Sequence, residues 1–233
     1  MTEVAKPFGK FIVIDGMDGC GKDTQIDLLK EALIGMGIRA RYTREPGGEG
    51  VEIAEEIRRM LLRKHGPPTV TQCDFFLFWA SRAAHVEMMV KPWIADGQHV
   101  ISNRYDSSTF AFQIYGERLF QLEDVFLAIR GRMGYEYKPD GYIFLDLPAE
   151  VACLRMQARA EAAKETETRF DAWLLEKHED VRTGFLRFEK AVMKDDRRGK
   201  VYIVDANRPR EEVHADILAR VLEVLDRPPP HEQ

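Results

Sequence analysis

The sequence predicts an α/β protein in which a parallel sheet carries helices on both faces. Three observations support that expectation. Short apolar, β-branched runs alternate with helix-period stretches along the chain. The first such pair is joined by a glycine-rich turn, GMDGCGKD at 16–23. The chain has 233 residues, enough for a single domain with a substantial core.

The elements follow in order. Residues 9–15 (GKFIVID) form a continuous apolar run that reads as a buried strand. Residues 24–36 follow as a helix, because Ile26, Leu28, Leu29, Ala32, Leu33 and Met36 recur at helical spacing. A second strand covers 38–43, an amphipathic helix 51–64, and a longer helix with an apolar stripe 72–95. Gly97-Gln98 turns the chain into a third strand, HVISNRY. Residues 108–130 are mostly helical, and 141–147 (GYIFLDL) are a fourth buried strand. Pro148 opens the next helix at its first turn, a position that tolerates its missing N–H. A fifth strand at 200–205 and a helix at 210–225 complete the pattern. Residues 1–226 are therefore expected to be one domain, with the tail RPPPHEQ (227–233) disordered. Ligands of such sheets bind at the carboxyl ends of the strands, which is where the motifs fall.

Composition narrows the function classes. A formal net charge of −5 gives no general reason to expect nucleic-acid or membrane binding. No apolar run is long enough to span a bilayer and the N-terminus has no signal-like apolar region, so a soluble, cytoplasmic protein is expected. Cys20, Cys73 and Cys153 are odd in number and widely spaced, which fits reduced thiols and no zinc site. Cys20 lies in the glycine-rich turn, where a small residue that fits the turn is the simpler reading than a reactive thiol.

The turn itself carries the chemistry. Gly16, four residues, then Gly21-Lys22 is the spacing of a phosphate-binding loop, whose N–H groups wrap a nucleoside triphosphate while the lysine reaches the terminal phosphates. The next position should be Ser or Thr, with its hydroxyl on Mg²⁺, but here it is Asp23. Further along, TREPGG (43–48) combines proline and two glycines in a tight turn beside Arg44 and Glu45. It reads equally well as a solvated turn with a surface ion pair. Arg104, at the third strand's carboxyl edge, suits a fork-like grip on phosphate, and Ser107, Ser108 or Thr109 can cap the helix that follows. Phe78 and Arg82 lie four apart on one helix face, so a ring and a guanidinium project together as a receptor for a base. The spacing alone nevertheless favours core for Phe78, within the run from Phe75 to Trp79. Residues 155–169 are charged and alanine-rich and carry Arg155, Arg159, Lys164 and Arg169. They read either as a solvated helical hairpin or as a mobile lid over transferring phosphates.

Taken together these blocks resemble thymidylate kinase, a P-loop nucleoside-monophosphate kinase family, in order over nearly the whole chain. FIVIDGMDGCGK resembles its first strand and loop, and TREPGG matches its second-strand motif letter for letter. FLFWASR resembles its thymine-site helix, NRYDSSTFAFQ its Asp-Arg-Tyr segment, KPDGYIFLDLP its fourth strand, TRFD its lid signature and DANRP the turn beside the adenine. The resemblance implies the three-layer P-loop NTPase fold, with a five-stranded parallel sheet and a small lid at about 156–171. It also implies Mg²⁺-dependent transfer of the ATP γ-phosphoryl to dTMP, and a homodimer.

Site residues follow from the same resemblance. The ATP side comprises Gly16, Asp18, Gly19, Cys20, Gly21, Lys22, Asp23, Thr24, Arg155, Asn207 and Arg208. On the dTMP side, Arg44 and Arg104 would grip the phosphate, Phe78 would stack on thymine and Arg82 would bond its O4. Asp18, Glu45, Pro46, Ser108, Thr109, Phe112 and Gln113 would line the same pocket. Lys22, Arg104 and Asp18 would serve transfer itself. This loop has no arginine of its own, so Arg159 and Arg169 of the lid, with Arg155 behind them, are expected to stabilise the transferred group. Asp23 and Asn103 are the expected metal-side residues. The family has Ser or Thr at the first of these and Asp at the second, so a carboxylate is expected to have moved from strand end to loop. The alternative is that Asp23 repels triphosphate and leaves a catalytically weak nucleotide-binding protein. Phe112 replaces the usual Tyr and Glu49 the usual Thr, so another deoxynucleoside monophosphate such as dUMP stays open as the acceptor.

Overall fold

The computed structural model describes residues 9–63, 70–133, 138–163, 174–192 and 199–226. Its sheet has five parallel strands in the order β2–β3–β1–β4–β5. They are β1 (Phe11–Gly16), β2 (Ala40–Arg44), β3 (His99–Asn103), β4 (Gly141–Asp146) and β5 (Lys200–Asp205). Every residue of the central β1 is buried. Successive side chains point to opposite faces, so both faces of the sheet are covered, and a continuous apolar run is what such a strand needs.

The register positions the site. Ile14 of β1 pairs with Asn103 of β3, and Asn103 in turn pairs with Arg44 of β2. Gly16 pairs with Leu145 of β4. In a parallel sheet these carboxyl ends share one edge, so the turns bearing Gly16, Arg44 and Arg104 emerge side by side.

The helices are α1 (Lys22–Gly35), α2 (Glu52–Leu62), α3 (Thr71–His85), α4 (Lys91–Ala95), α5 (Asp106–Thr109), α6 (Glu123–Arg132), α7 (Ala149–Ala163), α8 (Leu175–Val192) and α9 (Arg210–Leu225). A π-helical turn, Val86–Val90, joins α3 to α4, so the long helix expected at 72–95 is continuous but locally underwound. A second π-helical stretch, Phe110–Gly116, extends α5. The run expected to be mostly helical at 108–130 is broken after Gly116, where Arg118 takes a positive φ of 57° before α6 begins.

Helix α8 was not anticipated from the sequence. Its signal is nonetheless present, because His178, Val181, Phe185, Phe188 and Val192 recur on one buried face. That face meets the π-helical stretch, with Phe188 edge-on to Phe110 at 5.7 Å and Phe185 edge-on to Phe112 at 6.2 Å, and it meets β4 through Phe144. Gly184 permits the close approach: a Cβ there would lie 2.7 Å from Ala111 Cα and 3.0 Å from Tyr115 Cβ. Gly184→Ala improves local helix propensity, yet the clash is with backbone and is expected to dominate. A loss of about 1–3 kcal/mol should appear as a lower midpoint in thermal or urea unfolding.

Candidate active site

The phosphate loop joins β1 to α1. Gly19 and Gly21 hold positive φ values of 78° and 94°. A side chain on Gly19 would strike Ala152 O at 2.5 Å, whereas the space around Gly21 is open, leaving the backbone there bare to an approaching anion. Lys22 is buried, and its Nζ donates to Gly16 O at 3.0 Å and Met17 O at 2.7 Å. Cys20 faces inward with Sγ 3.7 Å from that ammonium, and burial pushes its thiol up. It fills the turn, as the simpler reading expected.

Arg104, with φ 72°, follows β3 directly. Its Nη1 donates to Asp15 Oδ1 at 3.2 Å, Gly16 O at 3.0 Å and Ser108 Oγ at 2.9 Å, and its Nη2 to Asp18 Oδ1 at 2.5 Å. Asp15 is fully buried and also accepts from the hydroxyls of Ser107 at 2.7 Å and Ser108 at 2.8 Å. Burial works to raise the Asp18 carboxyl, but Arg104, Lys22 and Arg159 outweigh it, and its pKa lies below the ordinary value. The loop and the strand-end arginine are thereby locked to each other.

A cleft of about 400 Å³ opens over this edge. Asp18, Gly19, Gly21, Lys22, Asp23 and Thr24 line one end. Arg44, Glu45, Pro46, Phe78 and Arg82 line the other, with Asn103, Arg104, Ser108, Phe112 and Gln113 between. Arg155 and Arg159 of α7 reach over it. Of the expected residues, Gly16 and Cys20 lie beneath the loop rather than on the wall. Thr109 is buried behind Arg82, 3.0 Å from its Nη2. Asn207 and Arg208 stand apart from this cleft in the turn after β5, where Arg208 pairs with Asp216. Arg155 connects the two regions, with Nη1 3.5 Å from Ala206 O. Arg169 and the second half of the expected lid lie outside the described residues, as does the tail.

The TREPGG turn is not a solvated loop with a surface ion pair. Glu45 is buried and holds Arg82 Nε at 2.8 Å. Arg82, 1 % exposed, spends Nη2 on Tyr105 O and Thr109 Oγ1, while its Nη1 is buried with no hydrogen-bond partner among the described residues. Trp79 and Tyr105 stack on the guanidinium at 4.6 and 5.1 Å. Phe78 beside it is half-buried: it packs against the core, as spacing favours, and also lines the cleft.

Sequence reasoning missed Arg58, Leu62 and Tyr105 on the cleft wall. Arg58 donates to Pro46 O at 2.7 Å, and Arg44 pairs with Glu55 at 3.2 Å. Burial first, then the neighbouring Arg44, pushes the Arg58 guanidinium down to about 10, so it stays charged at neutral pH. Its signal was faint: it lies one turn beyond Ala54 and Glu55 on an amphipathic helix.

At the loop end, Asn103 Nδ2 donates to Asp23 Oδ1 at 2.7 Å. The two departures from the resembled pattern are therefore in direct contact across the β1–β3 edge.

A parallel sheet with a glycine-rich phosphate loop after its first strand, facing a second anion-binding pocket, defines a phosphotransferase of the P-loop class. The family model described as thymidylate kinase matches residues 14–217. Three relatives called thymidylate kinase are similar over nearly their whole length. The Maridesulfovibrio salexigens protein is 35% identical over 91% of this chain and 95% of its own. The Geotalea daltonii protein is 35% identical over 92% and 97%, and that of Pelotomaculum thermopropionicum 36% over 94% and 95%. The chain belongs to the thymidylate kinase family.

Proposed function

We propose that this protein transfers the γ-phosphoryl group of ATP to dTMP, giving ADP and dTDP. The observation that carries the acceptor assignment is Arg82 Nη1, a buried donor lacking a partner among the described residues, beside the Phe78 ring. A base whose exocyclic carbonyl faces the donor and whose plane meets the ring satisfies both. Arg44, Arg58 and Arg104 all line the cleft, and their guanidinium groups suit a hold on the acceptor phosphate.

The loop N–H groups and Lys22 bind the triphosphate, with Lys22 exchanging its carbonyl partners for phosphate oxygens. Asp18 keeps Arg104 oriented between loop and acceptor. An acceptor phosphate oxygen attacks the γ-phosphorus, the bond to the β-bridging oxygen breaks, and ADP leaves. Arg104 and Arg159, with Arg169, meet the charge spread over the transferred oxygens, and Arg155 stays on the nucleotide side. Positioning and charge stabilisation do most of this work.

Asp23 and Asn103 suit a hard divalent cation. Asp23 is exposed at the loop end of the cleft, and Asn103 Oδ1 is a buried oxygen with no hydrogen-bond partner among the described residues. Bound there, Mg²⁺ supplies neutralising charge to the triphosphate oxygens.

A coupled assay for ADP release over a panel of monophosphates tests the assignment. Turnover with dTMP supports it, turnover confined to another monophosphate such as dUMP changes the acceptor, and ATP binding without turnover refutes it. Homodimerisation and a cytoplasmic location belong to the same proposal. Exposed Phe76 and Met88 on the α3–α4 run and Phe120 suit a subunit contact, which sedimentation would test. Among the described residues no helix is long and apolar enough to cross a membrane.

A further inference from the structure

The His85 imidazole has no part in the reaction described above, yet the TREPGG turn is built around it. The ring is fully buried at the end of α3. Its Nδ1 lies 3.0 Å from Glu45 Oε1 and its Nε2 2.7 Å from Thr43 Oγ1. An ionised carboxylate only accepts, so Nδ1 carries a proton and donates it, while Nε2 shares a second hydrogen bond with the Thr43 hydroxyl, which also reaches Met89 Sδ at 3.6 Å. A third contact is steric. A Cβ on Gly48 would come within 2.5 Å of His85 Cδ2, so this glycine lies against the ring. Residues 43, 45 and 48 are thus gathered on one side chain.

Glu45 passes the constraint on. Its second oxygen accepts from Arg82 Nε at 2.8 Å, one helical turn before His85. With Nε held by Glu45 and Nη2 by Tyr105 O and Thr109 Oγ1, the plane of the guanidinium is fixed, and with it the direction of Nη1. That atom is the donor left for a ligand.

We propose that His85 is a positioning residue for base recognition: by holding Glu45 it aims the Arg82 Nη1–H at the carbonyl of the acceptor base. It acts on acceptor binding, not on phosphoryl transfer. The inference rests on the acceptor assignment made above, and its test separates the two.

An asparagine at 85 puts an amide N–H near the position of Nδ1 and keeps the donation to Glu45, whereas a glutamine reaches toward the position of Nε2 and loses it. Steady-state kinetics would be measured for the parent, His85→Asn and His85→Gln. The acceptors would be dTMP and a 2-pyrimidinone deoxynucleotide, which lacks the 4-carbonyl. With dTMP, His85→Gln is expected to raise the acceptor KM about tenfold, leaving kcat and the ATP KM within about threefold. His85→Asn should remain within about threefold of the parent. With the analogue, the three proteins should share one KM.

Equal behaviour of the two variants overturns the proposal. So does an effect that persists with the analogue, or one that falls on kcat with KM unmoved, as a general packing role would give. If His85→Gln does not fold, Thr43→Val removes the hydroxyl on Nε2 together with its weak contact to Met89 Sδ. It should raise the dTMP KM about threefold and leave that of the analogue unchanged, and no difference between the two acceptors overturns the proposal. A parent that does not turn over dTMP overturns the acceptor assignment and this inference together. A parent that does, with variants that fail the pattern, overturns only the latter.

Discussion

Arg104→Ala is expected to lower kcat/KM for the acceptor by about a thousandfold, the scale of losing an arginine that stabilises a transferring phosphoryl group. The side chain reaches Asp15, Gly16, Ser108 and Asp18, so it joins the loop that holds the donor to the pocket that holds the acceptor. Asp15 braces the same junction, accepting from Gly16 N, Arg104 and the hydroxyls of Ser107 and Ser108. ATP affinity should change much less, which equilibrium binding can check. The backbone allows a second comparison. With φ at 72°, residue 104 is in a region that favours glycine, so Arg104→Gly should be more stable than Arg104→Ala by about 1 kcal/mol. Both should be equally inactive, because the lost rate belongs to the guanidinium and not to the strain. An Arg104→Gly protein with substantial activity would show that the arginine is a structural tie.

The second large effect concerns Asp23 and Asn103. Asp23→Ser is expected to lower kcat about a hundredfold and to weaken Mg²⁺ binding to the ATP complex, because it removes the exposed carboxylate at that corner. Asn103→Asp alone should also be impaired. It sets two carboxylates against each other, a repulsion of about 4 kcal/mol for charges roughly 4 Å apart at an effective dielectric near 20. Combining the changes restores one carboxylate and one hydrogen-bond donor with their positions exchanged. The double variant should recover activity to within about tenfold of the parent, a non-additivity expected of residues in direct contact. Titration of Mn²⁺ by electron paramagnetic resonance gives a readout independent of turnover. A double variant that binds the ion no better than Asp23→Ser would rule out the exchange.

What could be read from the sequence was what is local in the chain. The phosphate loop was legible because its residues are consecutive and each has a stated task. The strands β1 and β4 were legible because a strand buried on both faces needs an unbroken apolar run. Pairings distant in the chain were not. Glu45 looked like a turn residue because its partners Arg82 and His85 lie 37 and 40 positions away. Phe78 could not be separated from the core run around it, since helical spacing says which side chains share a face and not what that face meets. Helix α8 was obscured by its charged residues and by Gly184, which suggests a break until Ala111 is seen packed against it. The contact between Asp23 and Asn103, 80 positions apart, depends on the register of β1 against β3, which no local pattern encodes.

The convergence of Arg44, Arg58 and Arg104 has a thermodynamic consequence. Like charges held together in a half-buried cleft oppose folding, and after burial the neighbouring Arg44 is the next cause that brings the Arg58 value down to about 10. Any anion that fills the space relieves it, so occupancy and folding are linked equilibria. At a hundred times its dissociation constant, dTMP should raise stability by about 2.7 kcal/mol, seen as a higher melting midpoint, while thymidine without its phosphate should give much less. On this view the acceptor does more than occupy a finished pocket: its phosphate adds to the counter-charge that Asp15, Asp18 and Glu55 supply in the free fold.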